Sequence, residues 1–428
     1  MPILYQKQRG TEDIFAGERP NSPAFEIHRW QKIQSIFAEI ARLYGYGEIR
    51  TPMFEDFELF VRSSGETSDI VSKEMYDFKD KGDRHLALKP EGTAPVMRAY
   101  LEHKLGSQGG IHRFWYFNHS FRYGRPQKGR YRQLHQLGLE CIGTDSALAD
   151  VEIIDMTYRF LSEVGLKSLE VSVNSIGKAA TRAAYGEAIL NHLAGWLAEQ
   201  STEDQARARK NPMRLLDTKD SDLRDNLQGL PSILEFLDDE GKTRFEQVQA
   251  GLTQAGVPFV IDASIVRGLD YYTDTVFECT GAVFGESLAL CGGGRYDGLI
   301  QELGGPPTPS VGVGIGVERL IMALLENDVN WPHPHPAAFV VCATEDAKQI
   351  SFETVERLRA AGLACLRDIE GKGLKQQFKQ ADRSGAKFAI VFGSEELENG
   401  TVSVKMLESG DQLTIQQSEI VDWIRERL

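Results

Sequence analysis

The chain has 428 residues, of which 41% are hydrophobic and 9% aromatic, enough to fill cores in roughly three domains at about 150 residues per domain. Sixty-two acidic residues outnumber 48 basic ones, and the net charge of −14 argues against a uniformly basic nucleic-acid coat. The sequence has no apolar run of membrane-spanning length and no signal-peptide pattern, so we expect a cytoplasmic protein without membrane contact.

The first part of the chain, residues 1–177, mixes helical and strand patterns. Residues 25–44 carry apolar side chains at steps of three and four, which predicts an amphipathic helix whose stripe faces the core or a subunit interface. The segment EIRTPMFED is expected to form a strand with Pro52 at an edge or bulge. Residues 111–142 hold two aromatic-rich stretches joined by GRPQKG, which predicts a hairpin with a long loop.

Composition changes over residues 178–257, where Ala, Leu, Glu, Gln and Arg dominate at helical spacing and predict a helical insertion. Strand patterns return over residues 258–330, and SVGVGIGVERL is typical of a glycine-rich strand that leads into a helix. After a linker at 331–336, residues 337–428 alternate helix and strand, which predicts a small α/β domain with a mixed sheet.

Cysteine and histidine usage gives no sign of a metal centre. The five cysteines are widely spaced and never form a CxxC pair, which is typical of a reducing compartment and favours neither a disulfide framework nor zinc. His333 and His335 stand in WPHPHP, where alternating prolines hold the chain extended, so we interpret this segment as a linker.

Two segments carry groups suited to a polar, anionic ligand. In LALKPEGTAPVMRAY, Glu91 and Thr93 present a carboxylate and a hydroxyl from a turn, which suits an ammonium group, although a helix cap explains the same residues. Residues 113–132 hold six basic and no acidic residues, interleaved with aromatic rings. This pattern favours phosphate or nucleotide binding over a plain solvated face.

Two later segments are less specific. IVRGLDYYTDTVFE places Arg267, Tyr271 and Tyr272 on an expected strand, where side chains alternate between faces and tyrosines mostly serve packing. CGGGRYDG and SVGVGIG contain glycines that allow close backbone approach, but both lack the GK[ST] ending of a phosphate loop. The alternate glycines of SVGVGIG are equally explained as a strand face against which a ring or another chain packs.

Together these strings resemble one family. PEGTA, RPQKGRYRQLHQLG, RGLDYYTDTVFE, GGGRYDGL and GIGVERL, in this order, resemble the histidyl-tRNA synthetases, which are class II aminoacyl-tRNA synthetases. The stretch LKQQFKQADRSGAKFAIVFG resembles the anticodon-binding domain of that family, so the resemblance spans residues 9–428. It implies an α+β catalytic core with an antiparallel sheet, a helical insertion and a C-terminal α/β anticodon-binding domain.

The resemblance also implies a reaction, a histidine–tRNA ligation. The carboxylate of L-histidine attacks the α-phosphorus of ATP, giving histidyl-adenylate and pyrophosphate, and histidine then passes to the 3′ end of its tRNA. ATP with Mg2+ is the expected substrate complex, with no zinc and with ligands to Mg2+ that the sequence does not identify. A homodimer is expected because the helix over residues 25–44 precedes the first class II motif. Neither chemical step needs a protein nucleophile, so arginines that position phosphates matter most.

Site residues follow from the same resemblance, motif by motif. The expected catalytic residues, beside the α-phosphate, are Arg267 and Arg122. The expected ATP-binding residues are Arg122, Arg130, Arg319 and Arg267. The expected histidine-binding residues are Glu91, Thr93, Gln136, Glu140, Tyr271 and Tyr272.

The expected tRNA contacts lie in two basic stretches of an otherwise acidic chain. The first is residues 113–132, and the second is residues 367–387, where six basic residues accompany three acidic ones. The tRNA-binding residues implied within them are Arg125, Gln127, Lys128, Lys375 and Arg383. Such local patches favour one docked, oriented tRNA, and they weaken in salt.

Two alternatives stay open. The synthetase-like regulatory subunit of ATP phosphoribosyltransferase shares the fold, but it generally lacks the carboxy-terminal domain and the arginine strings. A non-charging RNA-binding paralogue is favoured only by Gly124, which stands where the family usually has an acid that recognises the adenine amino group. Neither alternative accounts for the full set of motifs.

Overall fold

A computed structural model describes residues 4–65, 68–125, 129–216, 218, 220–266, 269–283 and 285–428. The chain forms two compact units, Met1–Trp331 and Pro332–Leu428, each with its own hydrophobic core. Across the described ranges, no helix combines the length and the apolar character that a membrane crossing requires.

Helices of the first unit are numbered in chain order. Their bounds are α1 Ile27–Leu43, α2 Phe57–Ser64, α3 Thr93–Glu102, α4 Ala147–Glu163, α5 Ala179–His192, α6 Ala194–Ala198, α7 Thr202–Lys210, α8 Ser221–Asn226, α9 Asp239–Ala255, α10 Leu299–Glu302 and α11 Val317–Glu326. Short 3-10 helices lie at Pro23–Phe25, Leu105–Gln108, Pro212–Leu216 and Ile233–Phe236, and a π-helical turn at Ile70–Glu74. The region for which composition predicts an insertion holds α5 to α9 (Ala179–Ala255) and is helical in its described part.

Strands of the first unit form two sheets. Their bounds are β1 Gly47–Glu48, β2 Phe54–Asp56, β3 Tyr76–Lys79, β4 His85–Leu88, β5 His112–Phe121, β6 Gln133–Ile142, β7 Glu170–Ser175, β8 Val260–Ile261, β9 Thr273–Val283, β10 Glu286–Arg295 and β11 Ser310–Gly316. Among the described strands, the main sheet has the order β1-β5-β6-β11-β10-β9-β7-β8 and the small sheet the order β2-β4-β3. The main sheet is antiparallel except for the pairs β1/β5 and β7/β8, so the predicted antiparallel core is confirmed.

The core of the first unit lies between the main sheet and helices α1 and α4. Phe37 of α1 is buried between two rings, with centroids 4.8 Å from Phe160 of α4 and 5.9 Å from Trp115 of β5. Trp30 and Ile33 on the same stripe are also buried. Of the two interpretations offered for this stripe, the structure therefore supports packing in the chain's own core.

Strands β5 and β6 form the predicted hairpin, paired without a register break from His112 opposite Ile142 to Phe121 opposite Gln133. The predicted strand EIRTPMFED is instead divided into β1 and β2, with Pro52 between them. Proline has no N–H for a sheet ladder, which explains the interruption.

The strand expected over RGLDYY was also placed too early, because β9 begins only at Thr273. Tyr271 and Tyr272 precede it, and their rings lie 4.7 Å apart, each facing the ring of Tyr296. Consecutive side chains of a regular strand point to opposite faces, so this shared burial requires a turn.

The second unit is a five-stranded mixed sheet with helices. Its strands, within the described chain, are β12 Ala338–Cys342, β13 Cys365–Arg367, β14 Phe388–Phe392, β15 Thr401–Met406 and β16 Gln412–Gln416. Its helices are α12 Lys348–Ala360, α13 Leu374–Ser384, α14 Ser394–Asn399 and α15 Ile420–Arg425. The order is β13-β12-β14-β15-β16, parallel over the first three strands and antiparallel over the rest, as the alternating pattern predicts.

Candidate active site

A cavity of about 430 Å³ lies on the main sheet of the first unit. Residues of β5, β6, β10 and β11 line it, together with the start of α3, the start of α11 and the turn at residues 269–272. The predicted site residues that line it are Glu91, Thr93, Arg122, Arg125, Arg130, Gln136, Tyr271, Tyr272 and Arg319. Local motifs that are distant in sequence thus meet at one place.

Six predicted residues lie elsewhere or outside the described chain. Arg267, Gln127 and Lys128 fall outside the described residues. Glu140 is fully buried and does not line the cavity, although it contacts residues that do. Lys375 and Arg383 are exposed on α13, which belongs to the second unit.

Three guanidinium groups that line the cavity lie close enough to repel one another. Arg122 donates from Nε to the Pro90 carbonyl over 2.8 Å, and Arg319 donates from Nη1 to the Ala289 carbonyl over 2.9 Å. Burial lowers the pKa of both side chains, and Arg130 lowers each further by repulsion. An anionic ligand relieves this repulsion, so these three arginines form a site suited to phosphate groups.

Glu91 has one of the two roles that were considered for its segment, the helix cap. Its buried carboxylate accepts hydrogen bonds from the backbone N–H groups of Thr93 (2.5 Å) and Ala94 (2.8 Å), so it caps the first turn of α3. Burial raises the pKa of Glu91, while these hydrogen bonds and the nearby Arg122 oppose the rise. Thr93 is not the capping side chain, because its hydroxyl donates to Glu140 instead.

Glu140 is the centre of a buried hydroxyl network. Its Oε1 accepts from Thr93 Oγ1 at 2.8 Å and from the Tyr116 hydroxyl at 3.1 Å, and its Oε2 accepts from the Tyr296 hydroxyl. Burial raises the pKa of Glu140 well above its usual value, while Thr93 opposes the rise. A carboxylate has about four acceptor positions, and the three hydroxyl donors occupy most of them.

Two aromatic rings and the side-chain amide of Gln136 also line the cavity. Tyr271 and Tyr272 are almost fully buried, and burial raises the pKa of Tyr271 well above its usual value, which keeps its phenol protonated. The side-chain oxygen of Gln136 accepts from Ser120 Oγ at 3.0 Å, and Ser120 in turn accepts from Asn118 Nδ2 at 2.9 Å. Together these groups suit a small, flat ligand that carries hydrogen-bonding atoms.

Glu74 is a cavity residue that the sequence motifs did not single out. It ends the π-helical turn Ile70–Glu74, and its backbone carbonyl accepts from Tyr123 N at 2.6 Å. Its Oε1 lies 3.7 Å from the position that a Cβ on Gly124 would occupy. No periodicity or glycine pattern marks this acid, and only the fold brings it beside Gly124.

Glu318 was also missed, although it belongs to the recognised string GIGVERL. It accepts from the backbone N–H of His135 at 3.1 Å and lies 2.7 Å from His135 Nδ1. These bonds join the start of α11 to β6, and they hold Arg319 at the cavity through the backbone of α11.

Comparisons with known proteins show the family to which the chain belongs. Residues 23–320 match the family described as Histidyl-tRNA synthetase, and residues 337–427 match the family described as Anticodon binding domain. The histidine–tRNA ligase of Geobacillus thermodenitrificans is 43% identical over 99% of both chains. That of Crocosphaera subtropica is 45% identical over 97% of this chain and 96% of its own. The crystal structure of apo S. aureus histidyl-tRNA synthetase gives a TM-score of 0.81 at 36% identity, covering 99% of this chain and 100% of that chain.

A largely antiparallel sheet beneath an arginine-lined cavity, with an anticodon-binding domain in the same chain, defines a class II aminoacyl-tRNA synthetase. More narrowly, the chain belongs to the histidyl-tRNA synthetase family, as its motifs predict. A Bacillus halodurans structure described as an ATP phosphoribosyltransferase regulatory subunit/histidyl-tRNA synthetase has a TM-score of 0.66 at 23% identity, which shows the shared fold alone. The near-full-length identity to ligases supports the ligase over the regulatory subunit.

Two neighbouring glycines of β11 provide a test of how tightly this site is packed. A Cβ on Gly312 would overlap the Tyr296 hydroxyl, the Glu140 carboxylate and the Leu139 carbonyl, whereas a Cβ on Gly314 would have its nearest neighbour at 3.6 Å. We expect Gly312→Ala to lower the free energy of unfolding by about 1–3 kcal/mol, because backbone and a buried network cannot yield. Gly314→Ala, two residues away, should change it little.

Urea unfolding of the full chain, followed by tryptophan fluorescence, measures both variants. Equal unfolding midpoints for Gly312→Ala and the wild type would contradict the described packing.

Proposed function

We propose that this protein is a histidine–tRNA ligase (EC 6.1.1.21), which activates L-histidine with ATP and transfers it to the 3′ end of histidine tRNA. The observation that carries the proposal is one cavity lined both by the guanidinium groups of Arg122, Arg130 and Arg319 and by Glu91, Tyr271 and Tyr272, with the buried Glu140 network behind Thr93. A cytoplasmic location belongs to the same proposal, since five free cysteines are typical of a reducing compartment.

In the activation step, a histidine carboxylate oxygen attacks the α-phosphorus of ATP, and the bond to pyrophosphate breaks. ATP enters as its Mg2+ complex. Arg122, Arg130 and Arg319 neutralise the negative charge of the triphosphate, and Arg267 has the same role by family resemblance. Negative charge shifts toward the leaving pyrophosphate, so fixed cations on a preorganised site lower the barrier without a protein nucleophile.

In this proposal, histidine binds beside Glu91 and the turn that holds Tyr271 and Tyr272. Glu91 and Gln136 face its α-ammonium group, and the imidazole lies against Tyr271 and Tyr272 with an N–H directed to Glu140. An analogue without ring nitrogens leaves these buried polar groups unpaired, and such sites reject the analogue far more strongly than an apolar pocket does. The arrangement therefore explains selection for histidine without a second editing site.

In this proposal, Glu74 takes the role of the acidic residue that the family usually has at the position of Gly124. Its carboxylate lies beside Gly124 and close enough to Arg122 to oppose the fall that burial causes in the pKa of that guanidinium. A carboxylate accepts from an amino group, so Glu74 is placed to bind the adenine amino group of ATP. Gly124 thus gives no reason to favour a non-charging paralogue.

Glu74→Gln tests this assignment. We expect the KM for ATP to rise about 3–10-fold, because one hydrogen bond to a charged acceptor is replaced by a weaker one, while the KM for histidine stays the same. Asp77→Asn is the matched control, since exposed Asp77 pairs with His85 and does not line the cavity. If Glu74→Gln leaves the KM for ATP unaltered, Glu74 does not bind adenine.

The function itself is tested by histidine-dependent exchange of pyrophosphate into ATP, followed by charging of histidine tRNA. We expect both activities, and we expect the other amino acids to support neither. Absence of exchange would refute the proposed enzymatic function, whereas exchange without charging would identify an adenylate-forming paralogue.

We propose that tRNA contacts the second unit through α13. Lys375, Lys379 and Arg383 are exposed at intervals of four residues, so they form one basic stripe, while Gln377 and Ala381 are buried on the other side. Arg125, Gln127 and Lys128 of the loop between β5 and β6 are proposed to meet the acceptor end near the cavity. Phosphate contacts of this kind weaken as salt rises.

A homodimer is the last part of the proposal, and the small sheet offers a surface for it. Phe54 of β2 and Phe78 of β3 are 52% and 42% exposed. Directly paired residues of antiparallel strands point to the same side, and the register places both rings on one face with Leu86 and Leu88 between them. The opposite face is buried through Ala87, so this exposed apolar face is available for a second copy.

Replacing both rings, Phe54→Asp with Phe78→Asp, should convert a dimer to a monomer, because charged side chains would have to be buried at the interface. Sedimentation velocity at micromolar concentration measures the change. Phe352→Asp, which alters an equally exposed ring of the second unit, should leave the dimer intact. A wild-type monomer, or a variant that still dimerises, would overturn this interface.

A further inference from the structure

The turn at residues 269–272 lies between two cavities. One is the candidate active site, and the other is a second cavity of about 430 Å³ lined by helical-insertion residues such as Arg182, Asn211 and Arg214. Leu269 and Tyr272 line both. The rings of Tyr271 and Tyr272 are packed in a hydrophobic cluster, and polar contacts hold the turn where it borders the second cavity.

These polar contacts come from three side chains of the insertion. Arg182, on the first turn of α5, donates through Nη1 to the Tyr272 carbonyl. Asn211, which follows α7, donates from Nδ2 to Asp270 Oδ1 at 3.1 Å, and Arg214 Nη2 lies 3.6 Å from the same oxygen. We call Arg182, Asn211 and Arg214 the brace.

Asp270 has a close neighbour on its other carboxylate oxygen. Gly65, at the end of α2, has φ +81°, and a Cβ there would lie 2.6 Å from Asp270 Oδ2. The carboxylate of Asp270 thus sits between Gly65 and the brace. Because Asp270 directly precedes Tyr271, these contacts limit where Tyr271 and Tyr272 can lie.

The contact of Arg182 is strong for a single hydrogen bond. Its guanidinium is largely removed from solvent, which lowers its pKa, while Asp274, Glu302 and Asp270 stabilise the charge. A charged donor to a backbone carbonyl is roughly twice as strong as a neutral one. If Arg182 is replaced by alanine, the Tyr272 carbonyl faces the second cavity without this charged donor.

We propose that the brace positions the Tyr271–Tyr272 turn and thereby sets the affinity of the active site for histidine, although no brace residue touches the substrate. This inference rests on the proposed function, because it assumes that the turn binds histidine. Arg182, Asn211 and Arg214 are positioning residues, and they connect the placement of the helical insertion to recognition of the amino acid. By linkage, a ligand that shifts the insertion changes histidine affinity, and histidine changes the affinity of that ligand equally.

Pyrophosphate exchange by the full chain tests the inference through separate constants for histidine and ATP. Arg182→Ala should raise the KM for histidine about 10-fold or more and leave the KM for ATP unchanged. Arg182→Lys, which keeps a charged donor, should recover much of the loss. Lys178→Ala is the matched control, because Lys178 is the N-cap of the same helix but pairs with Glu240 at 2.7 Å instead of with the turn. Equal changes in both constants, or no change for histidine, would overturn the inference.

A second pair of variants tests the contact to Asp270. Because Arg214 and Asp270 act on each other, the effects of Arg214→Ala and Asp270→Ala on the KM for histidine should not multiply in the double variant. If the two effects on the KM for histidine do multiply in the double variant, Arg214 does not belong to the brace.

Failure of the proposed function gives a different result. Wild-type exchange that does not depend on histidine, or a Tyr272→Phe variant with an unchanged KM for histidine, refutes the assigned site itself. Hydrogen–deuterium exchange then measures the brace without any activity: Arg182→Ala should speed exchange around residues 269–273, and Lys178→Ala should not. Identical protection in Arg182→Ala and wild type would refute the brace whatever the substrate.

Discussion

The site depends on the hydrogen bonds that the buried carboxylate of Glu140 accepts. A fully buried carboxylate is costly unless hydrogen bonds satisfy it, and here Thr93, Tyr116 and Tyr296 donate to it. These donors belong to the start of α3, to β5 and to the segment after β10, so one side chain ties three parts of the chain together. Close approach of β11 at Gly312 makes this geometry possible.

The cavity holds fixed charges of both signs. Arg122, Arg130 and Arg319 line it, and so does the buried carboxylate of Glu91, while Glu140 lies behind Thr93. A reaction that joins an amino acid to a nucleoside triphosphate needs both signs, since one substrate presents an ammonium group and the other presents phosphates. Neutralising both on fixed partners brings the reacting atoms together without a covalent intermediate on the enzyme.

Much of this architecture is readable from local sequence. Periodicity predicts α1, the β5–β6 hairpin and the mixed sheet of the second unit, because these elements depend on patterns within a few turns or strands. Family motifs locate the cavity arginines and Glu91. Local patterns do not reveal the turn before β9, where Tyr271 and Tyr272 share one side, or the position of Glu74 beside Gly124. Both depend on packing between distant segments, against Tyr296 and through the π-helical turn.

The strand order of the main sheet bears on how the protein folds during synthesis. The hairpin β5–β6 is complete once Ile142 has emerged, yet β6 also pairs with β11, where Ile142 lies opposite Ser310. The whole helical insertion is therefore made while one edge of β6 lacks its neighbour, and such open edges are prone to pairing with other chains. Early docking of the insertion, or protection by a chaperone, would shield that edge until β11 arrives. Slow closure of this long-range contact is thus expected to govern the folding rate of the first unit.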